Sequence, residues 1–174
     1  MKFAGHIVRK GLIAKLKNQI FYNNSFVPVY GRVPDNATYP YIKVNDTAVN
    51  EVDFNQSSFM QTVSSTIEVV TRFSSDAGGF GQADQIANLV LQVVRTRSSG
   101  YMDLTDDGFN VYTQTLGFTA HVHEADKDYY YYRTIISLDV RVQELADSPA
   151  IFWVIQNGFW NDGGTWIDTE TWID

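Results

Sequence analysis

The sequence predicts an α+β fold in which an antiparallel β-sheet is covered on one face by two α-helices and trailed by an extended C-terminal arm. Three observations carry this expectation. Two segments repeat apolar residues at helical spacing, and several others alternate apolar and polar residues with period two. The stretch after Pro149 follows neither pattern and holds all four tryptophans. The expected division is a body over residues 1–147 and an arm over 148–174.

The first helix is expected over residues 3–20, where Phe3, Ile7, Leu12, Leu16 and Ile20 recur at spacings of four or five. Gly5 and Gly11 weaken it. FYNNSFVPVYGRVPDNATYP then breaks the pattern with the residues of turns and extended chain. A strand follows at 40–46, and DTAVNEVDFNQSSF reads as a long polar loop. Val63, Ser65, Ile67, Val69, Thr71 and Phe73 next alternate with Ser64, Thr66, Glu68 and Arg72, a strand with one buried face.

The strongest helix lies in SSDAGGFGQADQIANLVLQVVRTR, with Ser75 or Asp76 as its cap. Ala83, Ile86, Ala87, Val90, Val93 and Val94 make its apolar face. Arg95 and Arg97 suit its negative pole. Two long strands follow at about 109–121 and 129–143, joined by HEADKD. In the second, Tyr130, Tyr132, Ile136, Leu138, Val140 and Val142 share a face opposite Arg133, Asp139 and Arg141. A slip of one residue turns that apolar set outward, so register is expected to be fixed.

The arm has four acids and no Lys or Arg. Trp160, Trp166 and Trp172 stand six residues apart, which aligns them in an extended chain but scatters them on a helix. Such a row is too costly to leave in water, and Trp153 adds a fourth candidate contact. The arm is expected to dock on its own sheet or in a groove of a neighbouring subunit or partner, where Trp is a favoured anchor. In the predicted loop, Val49, Val52, Phe54, Phe59 and Met60 set apolar side chains among polar ones, as a partner-binding segment does or as a loop folded back on its own domain does.

Charge is divided along the chain. The first 34 residues hold six of the thirteen basic residues and none of the twenty acids, leaving seven against twenty, a net of −13, in the other 140. Lys10, Lys15 and Lys17 mark the basic surface. The plainer reading is a helix that complements acidic surface on the same or a neighbouring subunit; the sharper one is a surface near passing DNA. Absence of cysteine removes disulfides, thiolate metal sites and Cys nucleophiles together. No apolar run reaches the roughly 20 residues of a membrane-spanning helix, and the charge-dotted opening segment does not read as a signal peptide.

Catalytic signals are sparse. His121, His123 and Glu124 in HVHEADKD are one conceivable metal set, but a strand pair must turn here, and turns collect polar residues. DAGGFGQAD lacks the Lys and Ser/Thr of a phosphate-binding loop and flanks its glycines with Asp76 and Asp84. No Ser sits in a G-x-S-x-G turn. An enzyme is disfavoured, and no cofactor is expected.

VYGRVPDNATYPYIKV, with Val33-Pro34, a polar spacer and Pro40-Tyr41-Ile42 opening a strand, resembles the phage tail-completion family that includes the tail terminators of long, non-contractile-tailed phages. The order continues to match through the preceding helix, RFSSD, ADQIANLVLQVV and RTIISLDVRVQE, over about residues 1–145. The resemblance implies a structural virion protein at the head-proximal end of the tail, assembled in the host cytoplasm. It implies a homohexameric ring that caps the tail tube, stops its polymerisation and joins the head connector. Its partners are then further copies, the tail tube protein and a head-completion protein, with genomic DNA passing through the lumen unrecognised and no membrane involved. The alternative is a head-completion or connector ring in the neck. The family brings no catalytic residue or cofactor, and the arm lies outside the resemblance.

Overall fold

The computed structural model describes residues 1–55, 58–74, 78–96 and 100–145, together with the strand backbones at 154–156 and 159–161. Helix α1 spans Gly5–Leu16. Three two-residue strands follow: β1 at Phe21–Tyr22, β2 at Ser25–Phe26 and β3 at Val29–Tyr30. The long strands β4 (Tyr41–Asn55) and β5 (Ser58–Ser74) form a hairpin. Helix α2 spans Gly81–Val94, and a 3-10 turn at Thr105–Asp107 leads into β6 (Phe109–Ala125) and β7 (Tyr129–Glu144). Strands β8 (Val154–Gln156) and β9 (Phe159–Asn161) pair only with each other.

The main sheet has the order β3-β4-β5-β7-β6. It is antiparallel except at its edge, where β3 runs parallel to β4. From Met60↔Gln143 to Ser74↔Tyr129, β5 and β7 stay paired without a break, the fixed register that the apolar alternation demands. Val63, Ile67 and Val69 of β5 are buried on the same side of the pleat as Ile136, Leu138, Val140 and Val142 of β7. They share one hydrophobic core with Val8, Leu12 and Leu16 of α1 and Ile86, Val90 and Val94 of α2. Polar ties reach the same side. Gln61 bonds the backbone of Lys2 and Ala4 just ahead of α1, Gln114 donates to Val94 O, and Thr134 donates to Asp84 of α2.

Ile7, Leu12, Leu16 and Ile20 of the expected stripe are buried, but the helix is shorter than 3–20, spanning Gly5–Leu16. Phe3 is exposed and lies against the His6 ring, while Ala4 and Val8 join the buried positions. Gly11 is needed for close approach: a Cβ there would stand 2.7 Å from Leu104 Cδ2, so the glycine lets the loop before β6 settle against α1. Helix α2 begins at Gly81, later than a Ser75 or Asp76 cap requires; Phe80 precedes it and makes no side-chain cap bond. Arg95 does more than face the helix pole, since its guanidinium donates to Gln114 O and ties the helix end to β6.

The segment expected to be a loop is β-structure. β4 continues through Asn55 and pairs with β5 as far as Asn55↔Ser58, with a bulge between Asp46 and Ala48 where Thr47 donates to Ser64 O. The bulge breaks the alternation of faces, and Asp46 and Glu51 share the core side with Val49, opposite Ser65, Gln61 and Val63, so no apolar alternation marks this segment in the sequence. Residues 154–161 double back as an antiparallel pair, Val154↔Asn161, so this part of the arm is a hairpin and not a single extended run. Trp153, Trp166 and Trp172, and the side chain of Trp160, lie outside the described residues.

Candidate interaction surfaces

The hairpin separates the apolar residues once grouped as a partner-binding loop. Val49 pairs with Val63 and packs against the core, whereas Val52 points to the opposite face and pairs with Met60. Met60 is only 4% exposed, while Phe59 is 39% exposed past the end of the core. Phe54 lies in β4, its side chain outside the described residues. Among the described members, Val49 packs against the core, Met60 is buried on the opposite face beside Val52, and Phe59 is the outward one. Alternation along the strands puts Val52 and Met60 together on the face away from the core.

The basic helix answers acids of its own chain. Arg9 pairs with Asp46, and Lys10 Nζ lies 2.9 Å from Asp107 Oδ1. Lys15 donates to Gly100 O at 3.3 Å, and desolvation holds its ammonium below the usual lysine range. Lys17 is exposed at the end of α1. Arg9, Lys10 and Lys15 thus meet acids or a carbonyl from elsewhere in the same chain.

His121 and His123 do share a face of β6, but Glu124 is on the other, with its carboxylate 2.6 Å from Arg133. His121 Nδ1 lies 3.4 Å from Asp84 Oδ1, and the ring packs edge-on against Phe80. His123 stacks on Tyr130 with the ring planes 9° apart. His121 thus ties the start of α2 to the sheet, while His123 packs among the tyrosines of β7. Among the described residues, no group of three or more His, Asp or Glu side chains is arranged to hold a metal ion.

Two surfaces escaped the sequence reading. The first is strand β6, which borders the sheet for its full 17 residues and pairs with no other described strand on its outer side. It is interrupted by bulges between Val111 and Thr113 and between Leu116 and Thr119. Tyr112 and Phe118 sit within these interruptions, Phe118 being 57% exposed, and Leu116 is exposed between them. Gly117, a strand glycine, was the available signal for the second bulge. Long free edges with apolar side chains are ready templates for another chain.

The second surface lies on the face opposite the core, at the end of the sheet near the β6–β7 turn. Gly31, Arg32, Tyr41, Lys43, Glu68 and Arg133 line an open cleft of about 380 Å³. Glu68 stands 3.8 Å from Lys43 and 3.9 Å from Arg133. Beside it Arg72 is held between two rings, 4.5 Å from the centroids of both Tyr39 and Tyr129. Each such cation–ring contact contributes about 0.5–1 kcal/mol at a surface. Tyr39 also packs against Tyr41 and Tyr131. Residues so distant in sequence give no local pattern to read.

Desolvation, then the neighbouring Tyr39 through its charge and hydrogen bond, pushes the Tyr41 phenol up to about 12 from its ordinary 10.0. The unfolded chain therefore loses this proton first as pH rises. Tyr41's contribution to stability should be constant below pH 10.0 and decline as pH climbs toward about 12. Urea midpoints measured across that interval should fall more steeply for the wild type than for Tyr41→Phe.

Residues 10–143, most of the chain, match the family described as Tail completion protein gp17. No individual curated protein matches significantly. No helix among the described residues is long and apolar enough to cross a membrane. A sheet whose β6 edge is unpaired among the described residues accords with a structural role in the phage tail, and the chain belongs to the phage tail-completion family.

Proposed function

We propose that this protein is a tail-terminator subunit that forms a homohexameric ring, caps the tail tube, stops its polymerisation and joins the tail to the head connector. The single observation that carries the reading is the family match over residues 10–143. The free edge of β6, with Tyr112, Leu116 and Phe118 exposed, supports it, because a ring subunit needs an adhesive border for its neighbour. Both helices lie on one side of the sheet in this reading, leaving the opposite face and the hairpin around Val52 and Phe59 for assembly. The arm over 148–174 adds a tether through Trp153, Trp160, Trp166 and Trp172. The tail tube protein and a head-completion protein are the axial partners, and DNA crosses the lumen without specific recognition. The protein resides at the head-proximal end of the tail in the virion and acts without catalysis or a cofactor.

Particles assembled without the protein should carry tails of uncontrolled length that are not joined to heads, as electron microscopy reveals directly. Normal tails attached to heads in its absence overturn the proposal. The mass of the assembled ring separates six copies from the twelve of a connector in the neck. Removing residues 148–174 should leave the body folded and weaken assembly, because every residue of the described core precedes Gln143. A truncated chain that does not fold makes the arm part of the core.

A further inference from the structure

We propose that the two free borders of the main sheet meet in the assembled protein, the β6 edge of one copy pairing antiparallel with the β4 edge of a second copy. The inference rests on the ring proposed above in one respect, that copies stand side by side in the same orientation.

Both borders are open. β6 pairs with β7 on its inner side and with no described strand on its outer side. At the other border, β3 covers β4 only at Ile42 and Lys43. From Val44 to Asn55 the outer side of β4 therefore meets no described strand. Each border is a row of backbone donors and acceptors ready for another strand.

Direction selects the partner. β4, β5, β7 and β6 are neighbours in that order and every pair is antiparallel, so β4 and β6 run in opposite directions. A second copy in the same orientation thus offers its β4 antiparallel to β6, the more stable form of pairing. That contact is head-to-tail, the kind whose repetition closes a ring, whereas β6 against β6 uses one patch twice and stops at two copies. Two β4 strands paired about the centre of Ala48 and Val49 would set Asp46 against Glu51, like charge on like.

Level selects further. Along the register across the sheet, Val44 is level with Ile67, Ile136 and Thr119, and Val52 with Met60, Gln143 and Asn110. The free part of β4 therefore stands level with residues 110–119 of β6, which include the exposed Tyr112, Leu116 and Phe118. That stretch of β6 has no charged residue to repel Asp46 and Glu51. His121 lies past it, level with Ile42, where β3 already holds the border. The interruptions correspond too. The bulge between Asp46 and Ala48 is next in level to the one between Leu116 and Thr119, and the irregularity after Val52 is next to the one between Val111 and Thr113. The two borders bend at matching heights.

The chain has no cysteine, so thiol cross-linking reads only introduced residues. Ala48 and Thr115 are level, exposed and on the face away from the core. Within one copy they are three strand spacings apart, about 14 Å. Ala48→Cys with Thr115→Cys, treated with a short bis-maleimide beside tail tubes, should give a ladder of linked copies ending at six. The single-chain band should be at least tenfold weaker than in either single variant. Asn50→Cys with Thr113→Cys is a second pair on the same face, and circular dichroism checks that all variants fold. A ladder ending at twelve keeps the edge pairing and moves the ring to the neck connector. A linked dimer from Thr115→Cys alone overturns the proposal in favour of β6 meeting β6. Rings of normal mass that give no ladder with either pair overturn the edge pairing and leave the ring standing. A protein that stays single beside tail tubes overturns both.

Discussion

Replacing Ile136 with alanine will lower the unfolding free energy by about 2–5 kcal/mol, a large part of the roughly 5–15 kcal/mol that holds an ordinary domain together. Ile136 is fully buried, pairs with Ile67 on one side and Thr119 on the other, and sits in the core shared by both helices. Alanine removes the transfer free energy of the lost methyl and methylene groups and leaves a cavity that two paired strands cannot close. The urea midpoint should fall while the slope of the transition stays constant. A loss below about 1 kcal/mol would show that the site collapses freely, which the unbroken register of β5 and β7 forbids.

Gln61→Leu should have the next largest effect and a different origin. Gln61 is 2% exposed, donates through Nε2 to Lys2 O at 2.6 Å and accepts at Oε1 from Ala4 N at 3.2 Å. Leucine keeps most of the volume but strands the fully buried N–H of Ala4, at a cost of about 1–3 kcal/mol. The Lys2 carbonyl adds less, because Lys2 is only half-buried. Since these bonds hold the entry to α1, amide exchange should accelerate first in residues 4–8 and only later in the sheet. Uniform acceleration throughout would mean that the entry and the sheet open together.

These two side chains also show how much of the molecule was legible in the sequence. Ile136 and its neighbours announce themselves by period-two alternation, and α2 by a stripe from Ala83 to Val94, because burial on one side leaves a periodic trace. Asp46 to Asn55 leaves none, since the bulge at Thr47 breaks the alternation and Asp46 and Glu51 share the core side with Val49, so the segment looked like a loop. Gln61 is illegible for a related reason: its value lies in two backbone groups almost sixty residues away. Phe3 was misplaced because hydrophobicity alone cannot tell a buried ring from an outward one when Ala4 and Val8 can fill the same stripe. Of the candidate contact residues, Phe59 is exposed, whereas Met60 is buried on the face opposite the core, a difference that only strand pairing reveals. The Arg72 sandwich joins residues 39, 72 and 129, and only folding makes them neighbours.

The interruptions of β6 bear on which strands can join it. A smooth border of 17 residues would zip onto any passing strand, including those of tail components made in the same cell. The bulges cut it into runs of 109–111, 113–116 and 119–125, each out of step with the next. Only a strand carrying matching offsets can engage all three at once, and a mismatched one gains a single short run and falls away. An edge divided in this way resists chance pairing and sets a stricter condition for any strand that would join it.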